Sequence, residues 1–296
     1  MTAEDSYFGM DSWEQAESEM SRIAVNMLLK KASLDVNDID VLLGGDLLNQ
    51  CTATGFAANS LPVPFLGLYN ACATAAESLL LGAALVSAGY AGRAVAAASS
   101  HFCSSERQFR FPLEYGSQRP PFSQNTVTGA GAFLIGQSGP VRITRALIGK
   151  VTEKGIKDAN NMGAAMAPAA ADTLKNFFEL TGTSPRDYDA VVTGDLGYEG
   201  SALLAELLGR EPCGAGGNFC DCGLLIYDRE RQDVHAGGSG CGCSACVMAA
   251  YFWEKLRRKE IKRMLLAGTG ALLSPRTVMQ KQVIPCIAHL VEAEAV

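Results

Sequence analysis

The chain has 296 residues, 48% of them hydrophobic and 7% aromatic, and a formal net charge of −6. A chain of this size buries a sizeable core and suggests two units, and its acidic balance excludes a general nucleic-acid footprint. Ten cysteines behind a polar, acidic opening at residues 1–9 predict reduced thiols and no signal peptide, and the most apolar stretch, residues 79–92, is too short for a transmembrane helix.

The first predicted element is a helix starting at Ser12, whose hydroxyl caps free N–H groups while Gln15 reaches back as in a capping box. Trp13, Ala16, Met20, Ile23, Ala24, Met27 and Leu28 follow the helical period and mark its buried side. Next, Asp38-Ile39-Asp40-Val41-Leu42-Leu43-Gly44-Gly45-Asp46 reads as a buried parallel strand between an acidic turn and a Gly-Asp exit. Residues 63–68 form a further strand, and Asn70-Ala71-Cys72-Ala73-Thr74 turns from it into an apolar helix over 79–86. Cys72 thus stands at a helix start, where unpaired N–H groups favour thiolate over thiol. The competing reading is a small, inert, buried cysteine. A strand over 93–98 leads to His101, and residues 129–136 form the closing strand of this half.

The pattern then repeats. A helix over 169–180 precedes Asp187-Tyr188-Asp189-Ala190-Val191-Val192-Thr193-Gly194-Asp195, which matches the Asp38–Asp46 run, and Arg263-Met264-Leu265-Leu266-Ala267-Gly268 matches Arg93-Ala94-Val95-Ala96-Ala97-Ala98. The spacing between matches grows in the second half, so an insertion is expected within residues 209–240, and residues 283–291 close that half. Two halves of similar α/β build follow, 1–138 with Cys72 and 139–296.

Cys213, Cys220, Cys222, Cys241, Cys243 and Cys246 crowd the second half. Their C-x-C and C-x-C-x-x-C spacing lacks the paired knuckles of a zinc ribbon. The alternating Gly238, Gly240 and Gly242 suit a tight turn opening a helix around 245–253, so a turn and a metal site are the two readings. The basic run over 255–263 reads as a solvated helix end, or as a contact with an anionic membrane or partner.

A duplicated α/β chain with Asn70-Ala71-Cys72-Ala73-Thr74 at a first-half helix start, and Gly237-Gly238-Ser239-Gly240-Cys241-Gly242-Cys243-Ser244-Ala245 before a second-half helix, resembles the thiolase and ketoacyl-synthase superfamily. Within it, the chain is similar to the stage V sporulation protein AD family through Trp13-Glu14-Gln15-Ala16-Glu17-Ser18, Gly45-Asp46-Leu47-Leu48-Asn49-Gln50, Ser99-Ser100-His101, Glu106-Arg107-Gln108-Phe109-Arg110-Phe111-Pro112 and Thr126-Val127-Thr128-Gly129-Ala130-Gly131. The resemblance implies a thiolase-like fold of two pseudo-duplicated halves in αβαβα layers, and a homodimer. It also implies binding of dipicolinic acid and support of its uptake into the developing spore, beside membrane-embedded SpoVA proteins and peripheral to the spore inner membrane. Chains of the superfamily open with a core strand ahead of the first helix. Here the helix begins almost at once, so either the chain is shortened or its first sheet lacks that edge.

Acyl transfer needs a thiolate, a base and oxyanion donors. The family pattern places a His at the strand exit and a His or Asn in the glycine-rich turn. This chain has Asp195 at the first position and Ser239 and Cys241 at the second. A carboxylate there raises a nearby thiol's pKa and donates no proton while ionised. The expected protein is therefore a non-catalytic binder without a cofactor, its ligand site drawn from Cys72, His101, Arg107, Arg110, Asp195, Ser239 and Cys241. Arg107 and Arg110 read as surface or loop-anchoring residues, or as planar forks suited to a carboxylate. His101 reads as bonded to nearby backbone or as part of the cleft, and Asn49 and Gln50 as cleft-lining or helix-capping. The alternative function is a thiol-dependent, ketoacyl-synthase-like condensing enzyme using Cys72.

Overall fold

A computed structural model describes residues 4–109, 119–210 and 217–296. The first half runs α1 (Trp13–Ala32), β1 (Val41–Gly45), α2 (Thr52–Asn59), β2 (Phe65–Gly67), α3 (Thr74–Ser87), β3 (Arg93–Ser100), α4 (Phe102–Phe109), β4 (Asn125–Thr126) and β5 (Gly129–Gly136). The second runs β6 (Val141–Leu147), α5 (Met162–Thr181), β7 (Ala190–Thr193), α6 (Gly197–Leu208), β8 (Phe219–Asp221), α7 (Cys222–Leu225), β9 (Gly238–Ser239), α8 (Cys241–Val247), α9 (Trp253–Arg257), β10 (Arg263–Ala271), α10 (Pro275–Met279) and β11 (Cys286–Ala295). One sheet has the order β2-β1-β3-β5 and the other β6-β11-β10-β7-β8, and β4 pairs with β9.

The repeated Asp-x-Asp has one physical job in both halves. Asp38 accepts from the Asp35 backbone N–H, and Asp187 from that of Ser184, closing a 3₁₀ turn before each strand. The second Asp of each pair clamps the loop entering the neighbouring strand. Asp40 accepts from the N–H groups of Gly92 and Arg93, and Asp189 from those of Lys262 and Arg263. These bonds hold the Asp40 carboxyl below its ordinary value.

Successive strand residues point to opposite faces, and the cores follow that period. In β10, Leu265 and Ala267 pack under α5, while Met264 and Leu266 join Leu79, Leu80, Cys243, Val247 and Met248 of α3 and the helical segment from α8. In β3, Val95 and Ala97 face Val25 and Leu29 of α1, and Ala94 and Ala96 face inward. The layers are therefore α1 with α2, the first sheet, α3 with α8, the second sheet, and α5 with α6. This is the expected thiolase-like αβαβα arrangement.

Several boundaries differ from expectation. Ser12 Oγ does accept from Gln15 N at 3.3 Å, but the cap is one-sided. Helix α5 begins seven residues before Ala169, because Asn161 caps Ala164 and Pro168 is accommodated inside the first two turns. The predicted strand over 283–291 starts at Cys286 and runs to Ala295, paired along β10 and β6. The helix expected over 245–253 begins at Cys241 and continues through a π turn at Met248–Phe252 into α9. Of the stretch expected to hold an insertion, β8 pairs with β7 as β2 does with β1 and so belongs to the repeat, while α7 and β9 have no such counterpart among the described residues, and Cys213 lies outside them.

Central helix α3 lies against β10 where that strand has no side chains. A Cβ on Gly270 would stand 2.5 Å from the Asn70 carbonyl oxygen, and one on Gly268 2.5 Å from Ala76 Cβ. Gly270→Ala should therefore push the Asn70–Ala73 turn outward and destabilise the fold by about 1–3 kcal/mol, read as a lower urea midpoint at unchanged slope. An unchanged midpoint would show that the contact yields freely.

Candidate functional site

Cys72 lies in a 3₁₀ turn, Ala71–Ala73, that leads into α3. Ala71 before it has φ +50°, a left-handed conformation that costs a non-glycine residue energy and that the surrounding packing imposes. The turn closes on β1, where a Cβ on Gly45 would meet the Leu68 carbonyl oxygen at 2.0 Å. Cys72 is 6% exposed and packs with Leu47, Ala75, Ala98, Cys241 and Ala245, with Phe109 against the cluster. Burial, then the Asp195 charge, pushes its thiol well above the ordinary value. Desolvation thus overrides the helix-end field that sequence alone offered as an activator.

Asp195 is fully buried beside this thiol. It accepts from Ser239 Oγ at 2.9 Å, Gly240 N at 2.9 Å and Thr269 Oγ1 at 2.8 Å. Ser239 Oγ is 4.0 Å from Cys72 Sγ. The contact with Gly240 depends on that residue's φ of +105°, and a Cβ there would meet Ser100 Oγ at 2.7 Å. Burial pushes Asp195 up to about 6 against these donors, and pushes Asp221 behind it up to about 7. Cys241, the first residue of α8, is completely buried and its thiol donates to the Ser99 carbonyl at 2.9 Å. Cys72, Asp195, Ser239 and Cys241 are thus brought together as expected, but inside the protein.

A second group forms an open cleft of about 280 Å³ lined by Glu14, Leu48, Asn49, Thr52, Ser104, Arg107 and Gln108. Arg107 pairs with Glu14 and its guanidinium lies 5.1 Å from the Trp13 ring centroid. Gln108 straps the wall, accepting from Asn49 N at 3.1 Å and donating to the Leu47 carbonyl at 3.1 Å. Leu47 and Phe109, flanking this strap, are among the side chains packed with Cys72. Asn49 lines the cleft and also accepts, through its carbonyl, from Thr52 Oγ1 at the start of α2, while Gln50 adopts φ +61°. His101 is buried and anchors backbone: its Nε2 lies 2.8 Å from the Ser6 carbonyl, and its Nδ1 accepts from Cys103 N. Desolvation lowers its pKa, so it is a neutral tie and does not line the cleft. Arg110 lies outside the described residues. Among the described residues, no three His, Cys, Asp or Glu side chains converge to hold a metal ion.

Sequence reasoning passed over three buried polar groups. Glu17 of α1 is inaccessible, accepts from Ser99 Oγ and Ser104 Oγ, and is pushed up by burial and by the charge of Asp46. Its place one turn from Trp13 and three residues before Met20, on the apolar stripe, was the available signal. Asp46 was read only as a strand exit; it receives Leu48 N, Thr54 N and Thr54 Oγ1. His289 of β11 contacts the Asn70 side-chain amide at 3.1 Å and accepts from Gly149 N, a pairing across 219 residues that no local pattern signals.

The family model for stage V sporulation protein AD matches residues 1–294. The chain belongs to the stage V sporulation protein AD family. It is 46% identical to stage V sporulation protein AD of Bacillus subtilis (strain 168) over 289 residues, 97% of this chain and 85% of the relative. Among solved structures it is similar to 3-oxoacyl-[acyl-carrier-protein] synthase III from Aquifex aeolicus VF5, with a TM-score of 0.62 at 12% identity over 94% of this chain and 84% of that one. It also resembles cerulenin-bound OleA of Xanthomonas campestri, with a TM-score of 0.64 at 15% identity over 96% and 83% of the two chains. Identities this low establish a shared fold and nothing about shared chemistry. This family member is a sporulation protein on a condensing-enzyme fold.

Two outcomes follow from the buried cluster. At neutral pH, iodoacetamide should label native Cys72 at least ~100-fold more slowly than the urea-unfolded chain, and Leu47→Ala should speed native labelling, as read by peptide mass spectrometry. The raised Asp195 carboxyl binds its proton more tightly in the native than in the unfolded state. Its contribution is therefore full below the unfolded value and is lost as pH rises through about 6. Asp195→Asn should remove roughly 2–3 kcal/mol of the stability lost between about pH 4 and 7, measured by urea unfolding across that range.

Proposed function

We propose that this protein is a non-catalytic member of the thiolase-like fold that binds dipicolinic acid and supports its uptake into the developing spore. The observation that carries the non-catalytic reading is the seat of Asp195: a buried carboxylate, held by three donors, beside a thiol that burial and that carboxylate keep protonated. Acyl transfer asks for the reverse, an ionised sulfur beside groups that donate to a developing oxyanion.

The Cys72 cluster is also a poor seat for the ligand. Dipicolinate is a small, planar, aromatic dianion, and the described side chains packed around Cys72 are apolar or thiol groups. The cleft at Arg107 supplies what the cluster lacks: a guanidinium fork, the amides of Asn49 and Gln108, and the hydroxyls of Thr52 and Ser104. Arg107 is already paired with Glu14, so a ligand carboxylate competes with that side chain for the fork. The function in this reading is capture of the dianion for hand-over to membrane-embedded SpoVA proteins, with the chain peripheral to the spore inner membrane. No helix among the described residues is long and apolar enough to cross a membrane, which is consistent with a peripheral role.

Titration calorimetry of the purified protein with dipicolinate should show saturable binding. Arg107→Ala should weaken it at least about tenfold, and Glu14→Gln should tighten it by releasing the fork. No heat at millimolar dipicolinate would sink the ligand assignment, and rapid labelling of Cys72 by an acyl-CoA probe would restore the condensing-enzyme reading.

A further inference from the structure

One buried carboxyl reaches the wall of the Arg107 cleft from inside the protein. Glu17 of α1 is inaccessible, and Ser104, which lines the cleft, donates its hydroxyl hydrogen to Glu17 Oε2 at 2.9 Å. Ser99 Oγ donates to the other oxygen at 3.2 Å. A serine hydroxyl has a single hydrogen, so beside an ionised Glu17 the Ser104 oxygen presents only lone pairs to the cleft. That arrangement disfavours a ligand carboxylate, and the buried charge behind the wall adds to the repulsion.

A proton on Glu17 reverses both effects. With the hydrogen on Oε2, the carboxyl donates to Ser104 Oγ and the serine hydrogen is released. In the empty cleft the His101 carbonyl, 3.2 Å away, accepts it. When a carboxylate is bound, the same hydrogen can turn to the ligand.

We propose that Glu17 is a positioning residue for the cleft: neutral, it lets Ser104 donate to a ligand carboxylate, and ionised, it withdraws that hydrogen bond. With the cleft taken as the dipicolinate site, on which this rests, the dianion binds together with a proton that solvent supplies to Glu17.

The surroundings make this carboxyl the one to titrate. Burial, the charge of Asp46 and the charge of Glu14 push Glu17 up to about 8 against its two serine donors. Packed against α1 are α2, α4, β3 and β5. Helix α2 and β5 carry no charged side chain, and Arg93, the charge of β3, stands at that strand's far end beside Asp38. Helix α4 brings Cys103, Glu106, which pairs with Arg119, and Arg107, which pairs with Glu14. On α1 itself, Glu19 and Arg22 pair with each other. Burial raises the thiols of Cys51, Cys103 and Cys241 and lowers His101, moving each away from the range in which Glu17 changes charge.

Below about 8 Glu17 is neutral and the cleft is competent; above it, ligand and proton must bind together. Titration calorimetry should therefore show dipicolinate affinity falling at least about fivefold between about pH 7 and pH 9.5. Repeating it in buffers of different ionisation enthalpy should show proton uptake above about pH 8 and little near pH 6, a readout that needs no substitution. Glu17→Gln, which keeps the shape of the neutral side chain, should bind with an affinity independent of pH and without proton uptake. Ser104→Ala should bind more weakly at pH 7 and lose at least about half of the pH dependence. Saturable binding with no proton uptake overturns the proposal alone, as does an unchanged pH dependence in Glu17→Gln or Ser104→Ala. Absence of binding at every pH sinks the ligand assignment and this proposal with it.

Discussion

Two helices are pressed between two sheets with no side chain to spare at the closest contacts, and the remainder of the molecule is arranged around that layer. Where α3 meets the second sheet, the strand is glycine at 268 and 270. Where α8 meets the first, Gly242 lies against Gly129, and Gly131 against Ala245. A Cβ at any of these positions would stand about 2.3–2.6 Å from its neighbour, well inside contact distance. The approach is what puts the starts of both central helices, with Cys72 and Cys241, into one buried cluster.

Within this layer electrostatics are decided by desolvation. Asp46, Asp195 and Asp221 are inaccessible, each receives three or more hydrogen bonds, and each is nonetheless pushed up. Their donors are hydroxyls and backbone N–H groups, which offset part of the cost of an ionised carboxylate but supply no countercharge. The same low-polarity surroundings hold the thiols of Cys72, Cys222, Cys241 and Cys243 protonated. The start of α3 therefore carries a protonated thiol beside a buried carboxylate whose hydrogen-bond donors favour its ionised form. The polar side chains that meet solvent nearby lie instead in the Arg107 cleft.

Much of the architecture was legible because it rests on local rules. Each Asp-x-Asp closes its own 3₁₀ turn and clamps a loop with two hydrogen bonds, so the motif recurs wherever such a strand begins. Strands β3 and β10 were legible as apolar runs, but both of their faces are apolar, so only the packing shows that Val95 and Ala97, and Leu265 and Ala267, turn outward to α1 and α5. Errors clustered where a local rule is overridden. The helix expected from residue 169 starts at Met162, because the cap at Asn161 and the packing of Ala165, Met166 and Ala167 keep the earlier turns helical with Pro168 inside them. His101 was legible as a residue at a strand exit, but its bond to Ser6 was not.

The sequence by itself determined the duplication, the order of the strands and helices that its matched runs mark, and the identity of the residues at their exits and starts, since these follow from periodicity and short-range hydrogen bonding; α2, β6, α6 and β8 carried no such mark. Only the tertiary structure decided which of those residues meet solvent. Cys72 is covered by Leu47 and Phe109, 25 and 37 positions away in the chain, and Asp195 is held by Ser239, Gly240 and Thr269 from two other segments. Burial and pKa are properties of the surrounding volume, and that volume is filled by residues that no local pattern links to the site.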